Sequence, residues 1–259
     1  MTSGPGGRSR KTVLYVDVDG TLVGPGGDLL WDGTTAVLDA LLRCRAAAID
    51  VVPVTGRGRV QVRELCRLLG LSRGIGELGC VHVEGVDARF ELGDFPFTGE
   101  TPVEAMRTRG ALDLVLGLGD LELHDPWNED REATVLLRGH ADAAAYDAAL
   151  ANAGFGWCRL VDNGELSRRP GVHVYHLTPA GTSKASGVRR DRERHGIARA
   201  DAAYVGDAAG DLACAGEVAD GWCWLVANAD LALEWPQRTT GSYGAGVAEV
   251  VDKLLLTRS

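Results

Sequence analysis

The stretch VLYVDVDGT, residues 13–21, joins a short apolar run to two aspartates and a glycine. The run Val13–Val16 is compact and β-branched or aromatic in character, which is typical of a strand buried on both faces. Gly20 permits a sharp turn shortly after it. We therefore predict a buried strand whose carboxyl end carries the carboxylates of Asp17 and Asp19.

Three more apolar runs have the same character: Ile49–Val54, Ala202–Val205 and Trp222–Val226. Four segments that we interpret as helices lie between or after these runs: Thr34–Ala48, Arg57–Leu69, Ser183–His195 and Val247–Leu256. Strands that alternate with helices at this spacing predict an α/β fold, with a Rossmann-like, doubly wound parallel sheet as its core.

The pattern changes between about Cys80 and His176. Short alternating segments there predict strands at Cys80–Glu84, Ala88–Leu92, Thr134–Arg138, Trp157–Val161 and Val172–His176, with helices near Pro102–Leu116 and Ala141–Ala153. Such a region is typical of an inserted α+β cap domain. We expect a flexible N-terminus at residues 1–11, a core domain at 12–79 and 177–259, and the inserted cap at 80–176.

The net charge and the cysteines indicate which partners and which cellular compartment to expect. The formal net charge of -9 disfavours nucleic acid and anionic membranes as partners, because both attract basic surfaces. The six cysteines include no CxxC pair, and we expect them to be reduced and mostly buried. The run Val13–Val16 is too short for a signal-peptide core or a membrane span, so we expect a cytoplasmic location. We also expect a monomer or a homodimer.

Three of the four predicted strands lead directly into polar motifs. Asp17–Thr21 follows the first strand, Thr55-Gly56-Arg57 the second, and Gly206-Asp207 with Asp211 the third. In open α/β sheets the ligand crevice lies at the carboxyl ends of the strands. We therefore expect these motifs to converge at one edge of the sheet.

Asp17 and Asp19 are two residues apart, which in an extended chain puts their side chains on one side, about 7 Å apart. With Asp207 and Asp211 nearby, these carboxylates would repel one another unless a cation or a proton intervened. Mg²⁺ suits such oxygen ligands better than zinc, since no His/Cys ligand set is evident. In the alternative interpretation, Asp17–Gly20 is only a turn and Gly206-Asp207 only begins a helix.

Four stretches in order resemble the motifs of the haloacid dehalogenase superfamily. They are DVDGT (Asp17–Thr21), the Thr55 of PVTGR, the Lys184 of GTSKASG and GDAAGD (Gly206–Asp211). The insert resembles the large α/β cap of the branch that includes Cof-type sugar phosphatases and sucrose-phosphate phosphatase. The resemblance covers nearly the whole chain after Lys11.

The resemblance implies a Mg²⁺-dependent phosphoric monoester hydrolase. Asp17 would attack phosphorus to form a phosphoryl-aspartate, and Asp19 would act as general acid and then general base. The implied metal ligands are the Asp17 and Asp207 carboxylates and the Asp19 main-chain oxygen, with Asp211 acting directly or through water. Thr55, Gly56 and Lys184 would bind the phosphate. Thr55 could instead cap the following helix, and Lys184 could be a solvated helix lysine.

Two positions depart from the family pattern. Gly210 stands where many relatives have Asn, and Glu77-Leu78-Gly79 stands where relatives often read Glu-Asn-Gly. Both differences bear on rate and substrate more than on the class of reaction.

Substrate selectivity is expected to reside in the cap and near the second motif. The candidates are Arg57, Glu84, Arg168 and His173, with His82, Arg89 and His176 as further cap positions. Family analogy suggests a small phosphorylated metabolite, first a sugar phosphate or a related polyol or glycoside. Two alternatives stay open, namely a phosphomutase of the same superfamily and a non-catalytic sensor of phosphorylated metabolites.

Overall fold

A computed structural model describes residues 12–31, 33–166 and 169–257. The predicted flexible N-terminus at 1–11 and the candidate Arg168 lie outside these ranges. The strands within them are β1 (Val13–Asp17), β2 (Asp50–Val54), β3 (Arg73–Gly76), β4 (Val81–Glu84), β5 (Asp87–Phe90), β6 (Leu121–Leu123), β7 (Val135–Gly139), β8 (Cys158–Glu165), β9 (His173–Pro179), β10 (Ala202–Gly206) and β11 (Cys223–Leu225). The α-helices are α1 (Ala36–Ala46), α2 (Arg59–Leu69), α3 (Pro102–Thr108), α4 (Ala111–Gly117), α5 (Ala143–Asn152), α6 (Lys184–Arg194), α7 (Ala209–Leu212) and α8 (Tyr243–Leu256).

The chain divides into two compact units. The first comprises Met1–Pro53 and Val188–Ser259, and the second comprises Val54–Gly187. The core at 12–79 and 177–259 and the cap at 80–176 remain predicted domain bounds, and each unit is described by itself.

The first unit contains the strand order β11-β10-β1-β2. β1 pairs in parallel with β10, from Val13 opposite Ala202 to Val16 opposite Val205, and β10 pairs in parallel with β11. The side chains of Val13–Val16 are completely buried, as expected for a strand covered on both faces. All four predicted core strands are therefore present, and α1 and α8 pack against each other beside them.

The second unit begins at Val54, the last residue of β2, which pairs in parallel with Ile75 of β3. β4 and β5 then continue in antiparallel order from β3. β3 was not predicted, because its sequence Arg-Gly-Ile-Gly contains one apolar residue and two glycines, which are poor strand formers. The predicted strands at 80–84 and 88–92 thus correspond to β4 and β5, which follow β3 in the same sheet.

The second unit also contains a separate antiparallel sheet with the order β6-β7-β9-β8. Side chains two residues apart on each strand, Val135 and Leu137 on β7 and Tyr175 and Leu177 on β9, pack with side chains from the helices, such as Met106 and Leu150. The helices α3, α4 and α5 therefore cover one face of this sheet, as the alternating pattern predicted. The expected helix at 102–116 is two helices, since Gly110 adopts a left-handed conformation with φ of 89° between them.

Two further observations concern the cysteines and the helices. All six cysteines are buried thiols outside any disulfide, as predicted. Among the described residues, every helix is too short or too polar to cross a membrane.

Candidate active site

Three carboxylates meet at the carboxyl ends of neighbouring strands in the first unit. Asp17 ends β1, Asp207 directly follows β10, and Asp211 lies in α7. Each of the three offers a carboxylate oxygen within 4.8 Å of the others. Since β1 and β10 are parallel neighbours, their carboxyl ends lie side by side. The structure therefore brings together three of the four aspartates of the first and fourth motifs.

Glycine is required at two positions so that these carboxylates can approach the backbone. Gly20 has a φ of 91°, and a Cβ atom there would overlap the Asp207 carboxylate. A Cβ atom at Gly206 would overlap the Asp211 carboxylate. The two glycines therefore belong to the site as much as the aspartates do, because any larger residue would displace a carboxylate.

Four hydrogen-bond donors shape the cluster, two hydroxyls and two backbone N–H groups. The Thr21 hydroxyl lies 3.2 Å from Asp17 Oδ2 and 3.1 Å from Asp207 Oδ1, so it bridges the two carboxylates. Asp211 accepts bonds from the Tyr204 hydroxyl at 2.6 Å and from the N–H groups of Asp207 and Ala208. Burial raises the pKa of Tyr204 well above its usual value, so its hydroxyl keeps the donated proton. Asp211 thus holds the loop that presents Asp207.

The donor set of this cluster suits a hard divalent cation. Asp17 is nearly buried and Asp211 is fully buried. Three carboxylates this close repel one another unless positive charge or protons intervene. Carboxylate oxygens are ligands that Mg²⁺ and Ca²⁺ prefer, and the cluster contains neither the imidazole nor the thiolate typical of zinc sites. These three residues could therefore hold a metal ion.

Asp19 has a different environment from Asp17. β1 ends at Asp17, and the chain then turns sharply, with Val23 N–H donating to the Val18 carbonyl at 2.9 Å and Gly20 N–H donating to the Val23 carbonyl. The extended geometry expected for the aspartate pair therefore stops at Asp17. Asp19 is exposed in this turn, where a ligand and water can reach its carboxylate.

The predicted phosphate-binding residues lie in the second unit. Thr55 is buried directly after β2, and its Oγ1 accepts a bond from Arg57 N–H at 3.2 Å. This bond agrees with the alternative role of Thr55 as a turn-capping residue, yet it leaves the hydroxyl proton available for a phosphate oxygen. Lys184 is the first residue of α6, whose N-terminus is formed by reciprocal bonds between Ser183 and Ser186.

The predicted substrate residues that the structure describes lie on different elements of the second unit. Glu84 is exposed at the end of β4. His173 lies on β9, in the other sheet of the second unit, where its Nδ1 pairs with the Asp162 carboxylate at 2.8 Å. Arg57 is half-buried in the turn after β2. Their contacts with substrate remain predictions.

Asn228 contacts the candidate site and was missed from the sequence. Its Nδ2 donates to the Gly20 carbonyl at 2.8 Å, and its Oδ1 accepts from Tyr243 N–H at 2.8 Å. Asn228 therefore links the turn after β1 to the start of α8. The available signal was its position three residues after the end of β11, at the same edge as the other motifs.

We expect Asn228→Ala to lower kcat/KM for phosphate release by about 10- to 100-fold, the usual range for residues that orient metal ligands. Loss of the amide frees the Gly20 carbonyl and loosens the turn that carries Asp19. Steady-state kinetics over a series of Mg²⁺ concentrations measures the effect. Asn152→Ala, at the exposed end of α5, serves as the control. Unchanged kinetics in Asn228→Ala would show that the turn keeps its shape without the amide.

Comparisons with known proteins agree with the motifs and the fold. A phosphoglycolate phosphatase from Pyrobaculum neutrophilum is 28% identical over 256 residues, covering 94% of this chain and 95% of that protein. The structure of a HAD-superfamily phosphatase from Bacteroides thetaiotaomicron matches with a TM-score of 0.71 at 16% identity, covering 98% of both chains. The sucrose-phosphatase of Synechocystis matches with a TM-score of 0.66 at 17% identity, covering 95% of this chain and 98% of that one. No protein-family model matches the chain.

These matches span almost the entire chain, so the predicted fold class is confirmed. The similar proteins are phosphatases, which supports the predicted enzyme class of phosphoric monoester hydrolase. The chain is similar in sequence to phosphoglycolate phosphatases and in fold to haloacid dehalogenase-like hydrolases and a sucrose-phosphatase, which agrees with the resemblance of its motifs to the haloacid dehalogenase superfamily.

Proposed function

We propose that this protein is a Mg²⁺-dependent phosphatase that hydrolyses a small organic phosphate monoester through a phosphoryl-aspartate at Asp17. The observation that carries the proposal is the cluster of Asp17, Asp207 and Asp211 at the end of two parallel strands, with Asp19 exposed two residues beyond Asp17. Simple binding of a metabolite needs no such pair of carboxylates. The cluster therefore favours an enzyme over a sensor.

The reaction proceeds in two balanced steps. In the first, an Asp17 carboxylate oxygen forms a bond to phosphorus, the bond from phosphorus to the leaving oxygen breaks, and Asp19 donates a proton to the departing alkoxide. In the second, Asp19 removes a proton from water, the water oxygen attacks phosphorus, and Asp17 leaves as a free carboxylate. A bound Mg²⁺ supplies positive charge that reduces the repulsion between the carboxylates and the phosphate.

Several groups must act together in this reaction. Enzymes accelerate phosphate-monoester hydrolysis by up to ~10²¹-fold, whereas one preorganised donor supplies roughly 3–4 kcal/mol. In our proposal Asp17, Asp207 and the Asp19 main-chain oxygen bind the cation, and Asp211 holds the Asp207 loop. Thr55, Gly56 and Lys184 bind the phosphate oxygens.

Two classes of substrate have support. The structural similarity to a sucrose-phosphatase favours a sugar phosphate or a related glycoside. The sequence similarity to two phosphoglycolate phosphatases, at 28% and 29% identity, favours a small phosphorylated acid. Because those two sequences match more closely than the structural neighbour, we place 2-phosphoglycolate beside the sugar phosphates as a substrate to test.

The deciding experiment measures free phosphate released from a panel of sugar phosphates, phosphorylated glycosides, nucleotides and 2-phosphoglycolate. We expect release with Mg²⁺, loss of release with EDTA, and recovery when Mg²⁺ is added back. Isomeric sugar phosphate without free phosphate would indicate a phosphomutase instead. Thermal stabilisation by substrates with no turnover under any metal would indicate a sensor.

A further inference from the structure

A buried ion pair lies in the second unit, among residues with no role in the proposed chemistry. Glu77 is fully buried, and its carboxylate lies 4.0 Å from the buried Arg131 guanidinium. The same carboxylate accepts bonds from the N–H groups of Glu132, Ala133 and Thr134, and from the Thr134 hydroxyl. Glu77 therefore fixes the whole segment 131–134.

The Arg131 guanidinium is held at three points. Its Nε donates to the Trp127 carbonyl at 2.7 Å, one terminal nitrogen donates to Thr134 Oγ1 at 2.7 Å, and the other donates to the Gly56 carbonyl at 2.8 Å. Arginine suits this geometry because its planar fork donates in several fixed directions at once. The first two acceptors lie within seven residues of each other in the chain, whereas the third, Gly56, is a predicted phosphate-binding residue far from them in sequence.

The turn Thr55–Arg57 has all three of its carbonyl groups engaged. The Thr55 carbonyl accepts from Leu78 N–H at 3.1 Å, and the Arg57 carbonyl accepts from Glu77 N–H at 2.9 Å. The Gly56 carbonyl accepts from Arg131. The peptide planes of this turn are therefore set from outside it, and the direction of the Gly56 N–H is set with them.

The surroundings of Gly56 leave little room for another arrangement. A Cβ atom at Gly56 would lie 2.9 Å from His176 Nε2, so the backbone passes close to this buried histidine. Burial, together with the charges of Arg131 and Lys184, holds the pKa of His176 well below its usual value. His176 is thus a neutral packing partner there, and Arg131 supplies the positive charge beside the turn.

We propose that Arg131 is a positioning residue for phosphate binding. Its guanidinium holds the Gly56 carbonyl so that the Thr55 hydroxyl and the Gly56 N–H face a phosphate oxygen, and Glu77 keeps the segment 131–134 in register. The proposal rests on the proposed function and adds to it. A buried ion pair contributes little to stability on average, so a role in geometry accounts better for its presence.

The test compares Arg131→Lys with wild type by titrating inorganic phosphate into the Mg²⁺-loaded protein in a calorimeter. Lysine keeps the charge but cannot reproduce the fork. We expect phosphate affinity to fall about tenfold, which corresponds to about 1.4 kcal/mol. We also expect kcat/KM to fall by the same factor for every substrate, whatever its leaving group. The control is Arg138→Lys, which alters the ion pair between Arg138 on β7 and Glu122 on β6. It should change neither the phosphate affinity nor kcat/KM.

The outcomes separate the possibilities. Arg131→Lys with a lowered melting temperature but wild-type phosphate affinity would overturn the proposal, because the pair would then serve stability alone. A loss that differs between leaving groups would overturn it in favour of direct substrate contact. If Arg131→Lys does not fold, Thr134→Val, which removes the hydroxyl between Glu77 and Arg131, decides by the same titration: about threefold weaker binding supports the proposal, and wild-type affinity overturns it.

Measuring phosphate binding and phosphate release in the wild-type chain tests the positioning role of Arg131 separately from the proposed function. A wild-type chain that binds phosphate but releases none from any substrate would contradict the proposed function and leave the positioning role open to the same titration. A wild-type chain that binds no phosphate would overturn the positioning role.

Discussion

Asp17→Asn is expected to reduce phosphate release by at least ~10⁴-fold, because the amide cannot form the phosphoryl-aspartate of the proposed mechanism. Asp17 ends β1 with its side chain almost completely buried, so the strand determines where this carboxylate lies. A continuous phosphate assay at saturating Mg²⁺, with the best substrate from the panel, measures the loss.

The same variant should fold normally. Replacing one of three clustered carboxylates by a neutral amide reduces their mutual repulsion, so the melting temperature without metal should not fall. Asp39→Asn, on the exposed face of α1, provides a matched control that should retain activity. Retained turnover in folded Asp17→Asn would rule out the phosphoryl-aspartate mechanism.

Asp211→Ala is expected to lower the free energy of unfolding by about 3–5 kcal/mol. The substitution leaves three donors without the carboxylate, namely the Tyr204 hydroxyl and the N–H groups of Asp207 and Ala208. Each buried donor that loses its partner costs about 1–3 kcal/mol. Urea denaturation followed by circular dichroism measures the change.

The control for Asp211→Ala is Asp230→Ala, which removes an exposed aspartate that accepts a bond from Ala232 N–H. It should change the free energy of unfolding by about 1 kcal/mol or less. Asp211→Asn should fall between the two, because its amide oxygen can still accept one or two of the three bonds. Equal midpoints for Asp211→Ala and wild type would mean that the loop after β10 does not depend on this carboxylate.

Much of the first unit could be read from local patterns. Val13–Val16 had to be a buried strand, because four consecutive apolar residues followed by charge suit neither a surface strand nor a helix. The sequence alone predicted that the aspartates at the ends of β1 and β10 lie close together, since parallel strands end at a common edge. The joint position of Asp17, Asp207 and Asp211 was therefore predictable without coordinates.

Other features had no local signature. β3 contains two glycines, and its burial comes from pairing with β2 and β4 and from α2. Asn228 is one asparagine among polar loop residues until its amide is seen to donate to the Gly20 carbonyl. Glu77 and Arg131 are 54 positions apart, and nothing in either segment indicates the other.

The sequence by itself determined most of the strands and helices, the class of fold and the motif residues, because these follow from side-chain periodicity and from the placement of polar residues at strand ends. Only the tertiary structure decided how the site is supported: which amide holds the Gly20 turn, which donors hold Asp211, and which guanidinium holds Gly56. The physical reason is that such a hydrogen bond forms only when segments distant in sequence pack against each other. The local sequence does not specify which segments do so.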